Sequence, residues 1–305
     1  MPDFGIMRGF NEKLFGDKLV AGQLPTQLGI IGSQQVSDVA VFEFTVKTDN
    51  AGVSTSTQFR MPLTTSVGLN MSVDWGDFSP LETITNYTLA IHTYAAAGTY
   101  TIKVTGSILG WQFDNSGDKL KMLNVSKWAG LNMNEERAFF GCTNLTATAT
   151  DAPLITATRM DRTFQSCTNF NGAIGNWNMS TVTNTGTMFY ACTNFNQPIG
   201  TWNTSNITNM GVAFGGMFAL CTNFNQNLAA WDINQVTNFG DLMVGVTLST
   251  DNYDAILISW EAQTPVSGRS VSFGFSKYTL LSAAATARAR LISIYGWTIT
   301  DGGGI

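Results

Sequence analysis

The sequence predicts a mainly β protein: an antiparallel β-sandwich, then a short solenoid of repeats, then a C-terminal helical cap. Three observations carry this. Apolar residues alternate between regular turn signals over 36–110, a unit of about 25 residues recurs within 111–250, and residues 251–305 hold alanine-rich, helix-favouring sequence.

Composition bounds the rest. A chain of 305 residues is long enough for about two domains with sizeable cores and no disulfide staples. Charged residues are only 12% against 44% hydrophobic, so amides, hydroxyls and glycines must solvate the surface. The formal net charge of −5 argues against a nucleic-acid partner, which needs a positive footprint. A single histidine leaves little material for histidine-based metal or triad chemistry. No apolar run reaches the roughly 18 residues of a membrane span. The start, Met1-Pro2-Asp3-Phe4-Gly5, lacks a basic stretch followed by an apolar one, so no export leader is expected.

Residues 1–35 belong to neither main module. Phe10, Leu14, Phe15 and Leu19 are expected to line one face of a short helix, before a breaker-rich connector. The segment has too little core to fold alone and is expected to dock on a larger partner or another copy, with packing on the sandwich of its own chain as the alternative. Glu12 and Asp17 interleave with Lys13 and Lys18, which is not the basic face of a membrane-surface helix.

Residues 36–110 alternate as a sandwich strand does, as at Val39, Val41, Glu43 and Thr45. Within them, Val73-Asp74-Trp75-Gly76-Asp77 precedes His92-Thr93-Tyr94 and then Gly98-Thr99-Tyr100. These residues resemble the polycystic-kidney-disease (PKD) module, an immunoglobulin-like sandwich of extracellular proteins. The resemblance implies Trp75, Gly76, Asp77, His92, Tyr94 and Tyr100 as a structural signature. A polysaccharide-active enzyme is the competing reading, with Asp74 and Asp77 as a carboxylate pair and His92 as base. The structural reading is stronger: Gly76 supplies a tight turn, Asp77 caps its own backbone, and His92 hydrogen-bonds within the strand corner. Calcium at the Asp74/Asp77 turn or at Asp114-Asn115-Ser116-Gly117-Asp118 is a remote alternative, since the second run lacks the order and closing glutamate of an EF-hand. No metal or cofactor is expected.

The repeat is aligned by its cysteines. Cys167, Cys192 and Cys221 each open Cys-Thr-Asn-Phe-Asn, after a weaker copy at Cys142, with spacings of 25, 25 and 29 residues. Ten residues after each of the last three comes Trp177, Trp202 or Trp231, and Val246 occupies a degenerate cysteine position. Such a period lies in the leucine-rich-repeat range, where one unit cannot bury its apolar face and stacking is obligatory. Like residues then lie over one another, roughly 4.8 Å apart if strands pair in parallel. Phe170, Phe195 and Phe224 are expected to form one column, the tryptophans a second, and the cysteines a third of buried reduced thiols, with disulfides the alternative and a metal site, for which no CxxC pair speaks, a remote one. Asn169, Asn194 and Asn223 are expected to form a polar ladder. The units resemble those of BspA-like leucine-rich-repeat surface proteins. The resemblance implies a short curved solenoid for adhesion or display on bacterial and phage surfaces, with no catalytic residues.

In the last region Asp251 is a candidate N-cap for a helix through Tyr253, Ile256, Leu257 and Trp260. A second helix is expected over 279–294, stopped by Gly296. The tail from Tyr295 to Gly303 is expected to return to extended structure, and the alanine-rich stretch before Trp297-Thr298-Ile299-Thr300-Asp301-Gly302-Gly303 resembles the closing region that follows such repeats in surface proteins. No phosphate-binding glycine loop, HExxH, paired zinc ligands or nucleophile elbow occurs, so a non-enzyme is expected. The leading expectation is a phage virion surface protein, a capsid decoration protein or fibre. Its N-terminal segment docks on capsid or tail proteins, its copies form a homo-oligomer, and the outward side chains of the repeat loops are the candidate surface for a host glycan or protein; for Tyr190, packing in the core or a groove competes with glycan contact. A bacterial cell-surface adhesin is the alternative.

Overall fold

The computed structural model describes residues 39–212 and 215–305. These are mainly β, with two α-helices among the described residues. Strand β1 (Val41–Lys47) sets the pattern: Phe42, Phe44 and Val46 are fully buried while Glu43 and Thr45 face outward, as a period of two requires. It pairs antiparallel with β6 (Thr99–Ser107). Beyond β6 lie β3 (Asn70–Asp74) and the edge strand β4 (Glu82–Ile84). The antiparallel pair of β2 (Gln58–Arg60) and β5 (Ile91–Thr93) covers the inner face, with the Phe59 ring 6.0 Å from Phe44.

The same sheet runs on into the repeats. On the other side of β1, β7 (Met122–Lys127) pairs antiparallel, and β7 then pairs in parallel with β9 (Thr146–Ala147). Residues on either side of 110 therefore share one six-stranded sheet, in the order β4-β3-β6-β1-β7-β9. A second parallel pair, β8 (Asn132–Met133) with β10 (Leu154–Ile155), begins another line of bridges. That line continues as single parallel bridges, Arg159 to Asn184 to Asn209 to Asn238. The insertion in the 29-residue unit holds a small antiparallel pair, β11 (Gly211–Val212) with β12 (Gly215–Gly216).

Each repeat unit turns at its cysteine position. Cys142, Cys167, Cys192 and Cys221 donate backbone N–H groups to the carbonyls of Phe139, Phe164, Phe189 and Phe218, three residues earlier. Val246 does the same to Met243, and Ser276 to Phe273. Backbone bonds, one of them at the matching position, then join each unit to the next. The N–H groups of Phe139, Phe164, Phe189, Phe218, Met243 and Phe273 reach the carbonyls of Thr163, Met188, Met217, Leu242, Ser272 and Thr300 at 2.8–2.9 Å.

That ladder runs on into the C-terminal region, where strands as well as helices close the array. Helix α1 (Thr250–Ala262) is followed by β13 (Ser270–Ser272), α2 (Ala283–Ser293) and β14 (Thr298–Thr300), with β13 and β14 parallel. The units continue with a helix where earlier ones have a loop. The N-cap of α1 is Ser249, whose hydroxyl accepts the Asn252 N–H, not Asp251, which sits inside the first turn. Helix α2 starts four residues later than expected, because the Ser282 hydroxyl caps Ala284 and Ala285. Apolar residues from Phe42 to Trp297 form one core. No described helix is long and apolar enough to cross a membrane.

Candidate functional site

Strand β3 delivers Trp75 to the turn over residues 74–79, and β5 brings His92 against it. The Trp75 indole is buried, stacks on the His92 ring at 4.9 Å and donates Nε1–H to Glu82 Oε2 at 2.8 Å. Asp77 Oδ2 lies 2.8 Å from His92 Nε2. Tyr94 packs edge-on against His92, donates its hydroxyl to the Trp75 carbonyl at 3.1 Å, and stacks on Tyr100 at 3.7 Å. At Gly76, with φ of 79°, an added Cβ would meet the Thr101 carbonyl oxygen at 2.2 Å, so no larger residue fits. The structure thus brings all six signature residues of this module together.

The electrostatics describe a clamp. Burial alone would raise the Asp77 carboxyl. The bonds from the Ser79 hydroxyl, His92 and the Ser79 N–H, with the histidine charge, outweigh it and hold the group at about 2 instead of 3.8. A carboxylate so committed is a weak proton acceptor near neutral pH. Asp74 spends Oδ1 on the Gly76 N–H at 2.9 Å. Burial, then the Asp77 charge, pushes the Tyr94 phenol above its ordinary range.

In the second acidic run Asp114 stays exposed and only Asp118 turns inward. Asp118 is fully buried and accepts from Ser54 N at 3.0 Å, from the Ser54 hydroxyl at 2.5 Å and from Arg60 N at 2.8 Å. Lys121, also fully buried, donates to the carbonyls of Ser54, Thr55 and Gln58 and to the Ser54 hydroxyl. Burial lowers the Lys121 amine, partly offset by Asp118. The pair staples the loop before β2 to the segment before β7. Among the described residues no group of three or more His, Cys, Asp or Glu side chains is placed to hold a metal ion.

The repeat columns stand as files. Phe170 lies 6.1 Å from Phe195, and Phe195 lies 6.0 Å from Phe224, with rings within 11° of parallel. These spacings exceed the roughly 4.8 Å of paired strands, since turns and single bridges, not long strands, join the units. Sequence reasoning missed a second file, Phe139, Phe164, Phe189 and Phe218, spaced 5.6–5.8 Å. A phenylalanine three residues before each cysteine was the available signal. The two files interleave, with Phe164–Phe170, Phe189–Phe195 and Phe218–Phe224 at 4.1–4.2 Å.

Trp202 and Trp231 stack at 6.4 Å, and each donates its indole N–H to a carbonyl of the preceding unit, Ile174 or Ile199. Trp177 meets Trp128 edge-on instead at 5.4 Å, and its N–H has no partner among the described residues. The unit before it has Ala152, half-buried, near the tryptophan position. The four cysteines are unpaired and buried. Three thiols donate to carbonyls one unit back: Cys167 to Phe139, Cys192 to Phe164, Cys221 to Phe189. Burial pushes all four thiols above their ordinary value.

The amide ladder requires a correction. Asn169, Asn194 and Asn223 are exposed, and only Asn194 and Asn223 are joined, at 3.3 Å. The working ladder lies two residues later. Asn171, Asn196 and Asn225 each accept, through Oδ1, the backbone N–H of Asn196, Asn225 or Ser249 at 2.8–2.9 Å. Gln197, Gln226 and Asn252 donate to the same oxygens. The later asparagine sits where the chain leaves the turn, level with an orphan N–H of the next unit.

A further cluster went unforeseen. Arg159 Nε meets Glu136 Oε2 at 2.8 Å and Asp161 Oδ1 at 3.1 Å, and Arg137 meets Glu136 Oε1 at 3.0 Å. Burial and a hydrogen bond to Glu136 raise the Asp161 carboxyl. Grooves open beside Glu136 and Arg159 (290 Å³), between Pro198 and Ala230 (530 Å³), and beside Phe78 and Lys103 (400 Å³). Tyr190 is half-buried. Phe10, Leu14, Phe15 and Leu19 lie outside the described residues.

No curated protein and no solved structure matches this chain. A family model described as a Mycoplasma protein of unknown function, DUF285, matches residues 132–260, from the start of β8 to Trp260 in α1.

Proposed function

We propose that this chain is a non-enzymatic virion surface protein, a capsid decoration protein or fibre. It docks through its N-terminal segment and displays an immunoglobulin-like, PKD-like sandwich and a BspA-like leucine-rich-repeat solenoid toward a host glycan or protein. The observation that carries the reading is the single core from Phe42 to Trp297, with the ladder of backbone bonds between its units. Such a body holds attachment surfaces at fixed distances from one another. The polar clusters support it too, since Asp77, Asp118 and the asparagine ladder spend their hydrogen-bonding capacity on their own backbone. Four sealed, unpaired thiols suit assembly in a reducing cytoplasm, where virions are built.

A bacterial cell-surface adhesin is the second reading, favoured by the bacterial genus in the matching family's description. Quantitative mass spectrometry separates the two. The virion reading expects stoichiometric copies on purified particles and their loss on deleting residues 1–35. Recovery only in a cell-envelope fraction would reject it. Polysaccharide turnover that disappears in Asp77→Asn would reject both in favour of an enzyme.

A further inference from the structure

Phe78 is the most conspicuous side chain of the sheet module. Its relative exposure is 104%, so it packs on nothing. Its φ is 66°, in the left-handed region that disfavours any residue with a Cβ. Two unfavourable choices therefore coincide at one position, and neither helps the fold. Strained residues persist where their surroundings over-determine them, and they concentrate at ligand-contacting positions.

The surroundings do over-determine this turn. Gly76 N–H is held by Asp74, Ser79 by Asp77 through both N–H and hydroxyl, Asp77 by His92, and the Trp75 indole by Glu82. The Phe78 ring is thus presented on a fixed support, and a partner need not order it. Beside it lies the 400 Å³ groove, lined by Asp74, Ser79, Leu81, Thr101 and Lys103. Leu81 is 69% exposed and extends the apolar floor. Asp74 and Lys103 are cross-strand partners on the outer face of the sheet, with Glu43 opposite Lys103 on the next strand.

The chemistry selects one class of occupant. Two apolar side chains are too small a patch for the core of a protein interface, which buries about 800 Å² on each partner. One aromatic face flanked by a carboxylate, an ammonium and two hydroxyls matches a sugar ring, whose C–H face is apolar and whose rim donates and accepts hydrogen bonds. A volume of 400 Å³ lies within the roughly 300–1,000 Å³ of small-ligand sites. We propose that Phe78 stacks on a pyranose ring of a surface glycan, with Asp74 and Lys103 binding its hydroxyls. This deepens the display reading by naming the attachment site and its ligand class.

The test uses the full chain on a printed array of bacterial lipopolysaccharide, capsular and cell-wall glycans. The wild type is expected to bind at least one pyranose polysaccharide. Phe78→Gly should weaken that binding at least tenfold while leaving the melting temperature unchanged or raised, since glycine relieves the backbone. Phe78→Trp should retain it. Undiminished binding by Phe78→Gly, a lowered melting temperature in that variant, or no binding to any arrayed glycan would each overturn the proposal. Particle occupancy, measured separately, decides the display reading; a chain present on particles that binds no glycan removes only this site.

Discussion

Left-handed backbone recurs at the residue before each cysteine position: Gly141, Ser166, Ala191, Leu220 and Gly245 have φ of 82°, 60°, 59°, 63° and 79°. Glycine serves at the first and last of these; the middle three carry a Cβ that crowds the following carbonyl, at about 1–2 kcal/mol each. Glycine loses part of that advantage through its freer unfolded chain, about 0.5–1 kcal/mol. Ala191→Gly should therefore stabilise the protein by about 0.5–1 kcal/mol, read as a higher urea midpoint at constant slope, and a lower midpoint would contradict the strain. Asp77 gives a second residue-scale prediction. Its folded value of about 2 lies below the ordinary 3.8, so the folded state holds the proton less tightly than the unfolded one. Its contribution to stability is complete above the ordinary value and is lost as pH falls toward 2. The stability gap between wild type and Asp77→Asn, measured by denaturant titration, should shrink over that window; a constant gap would mean the clamp does not act through charge.

The unit of construction is one turn plus its stacked rings. Each central phenylalanine touches rings above, below and beside it: Phe189 meets Phe164 at 5.7 Å, Phe218 at 5.8 Å and Phe195 at 4.1 Å. Truncating it leaves a cavity shared by three units, for which a loss of about 3–5 kcal/mol is expected. Phe189→Ala should approach that loss in calorimetry, and the half-buried neighbour in Tyr190→Ala should cost much less. Equal effects would mean that the second phenylalanine file adds nothing beyond ordinary burial.

Across the whole molecule, the decisive contact is β1 with β7, because it makes the sheet module and the repeats one sheet over one core. Heating should accordingly give a single calorimetric transition with matching calorimetric and van't Hoff enthalpies. Two resolved transitions, one lost on deleting residues 111–305, would show that the modules fold independently. At the far end, Arg288 ties α2 to the tail through Asp301 at 2.7 Å, and Tyr253 of α1 reaches the same carboxylate at 2.6 Å. The closing strands are thereby held to both helices.

Much of this was legible beforehand, for a specific reason. A repeat forces identical residues into register, so the file of Phe170, Phe195 and Phe224 follows from spacing alone, and burial of the cysteines follows with it. The alternation of β1 likewise announces its buried face. Tertiary structure alone decided which asparagine of each unit meets an unpaired N–H, since a two-residue shift leaves the sequence pattern intact but changes which amide faces the next unit. It also decided that the chain crosses residue 110 within one sheet, and that helices replace loops without breaking the ladder. Those outcomes depend on contacts between segments far apart in the chain, which periodicity along it does not encode.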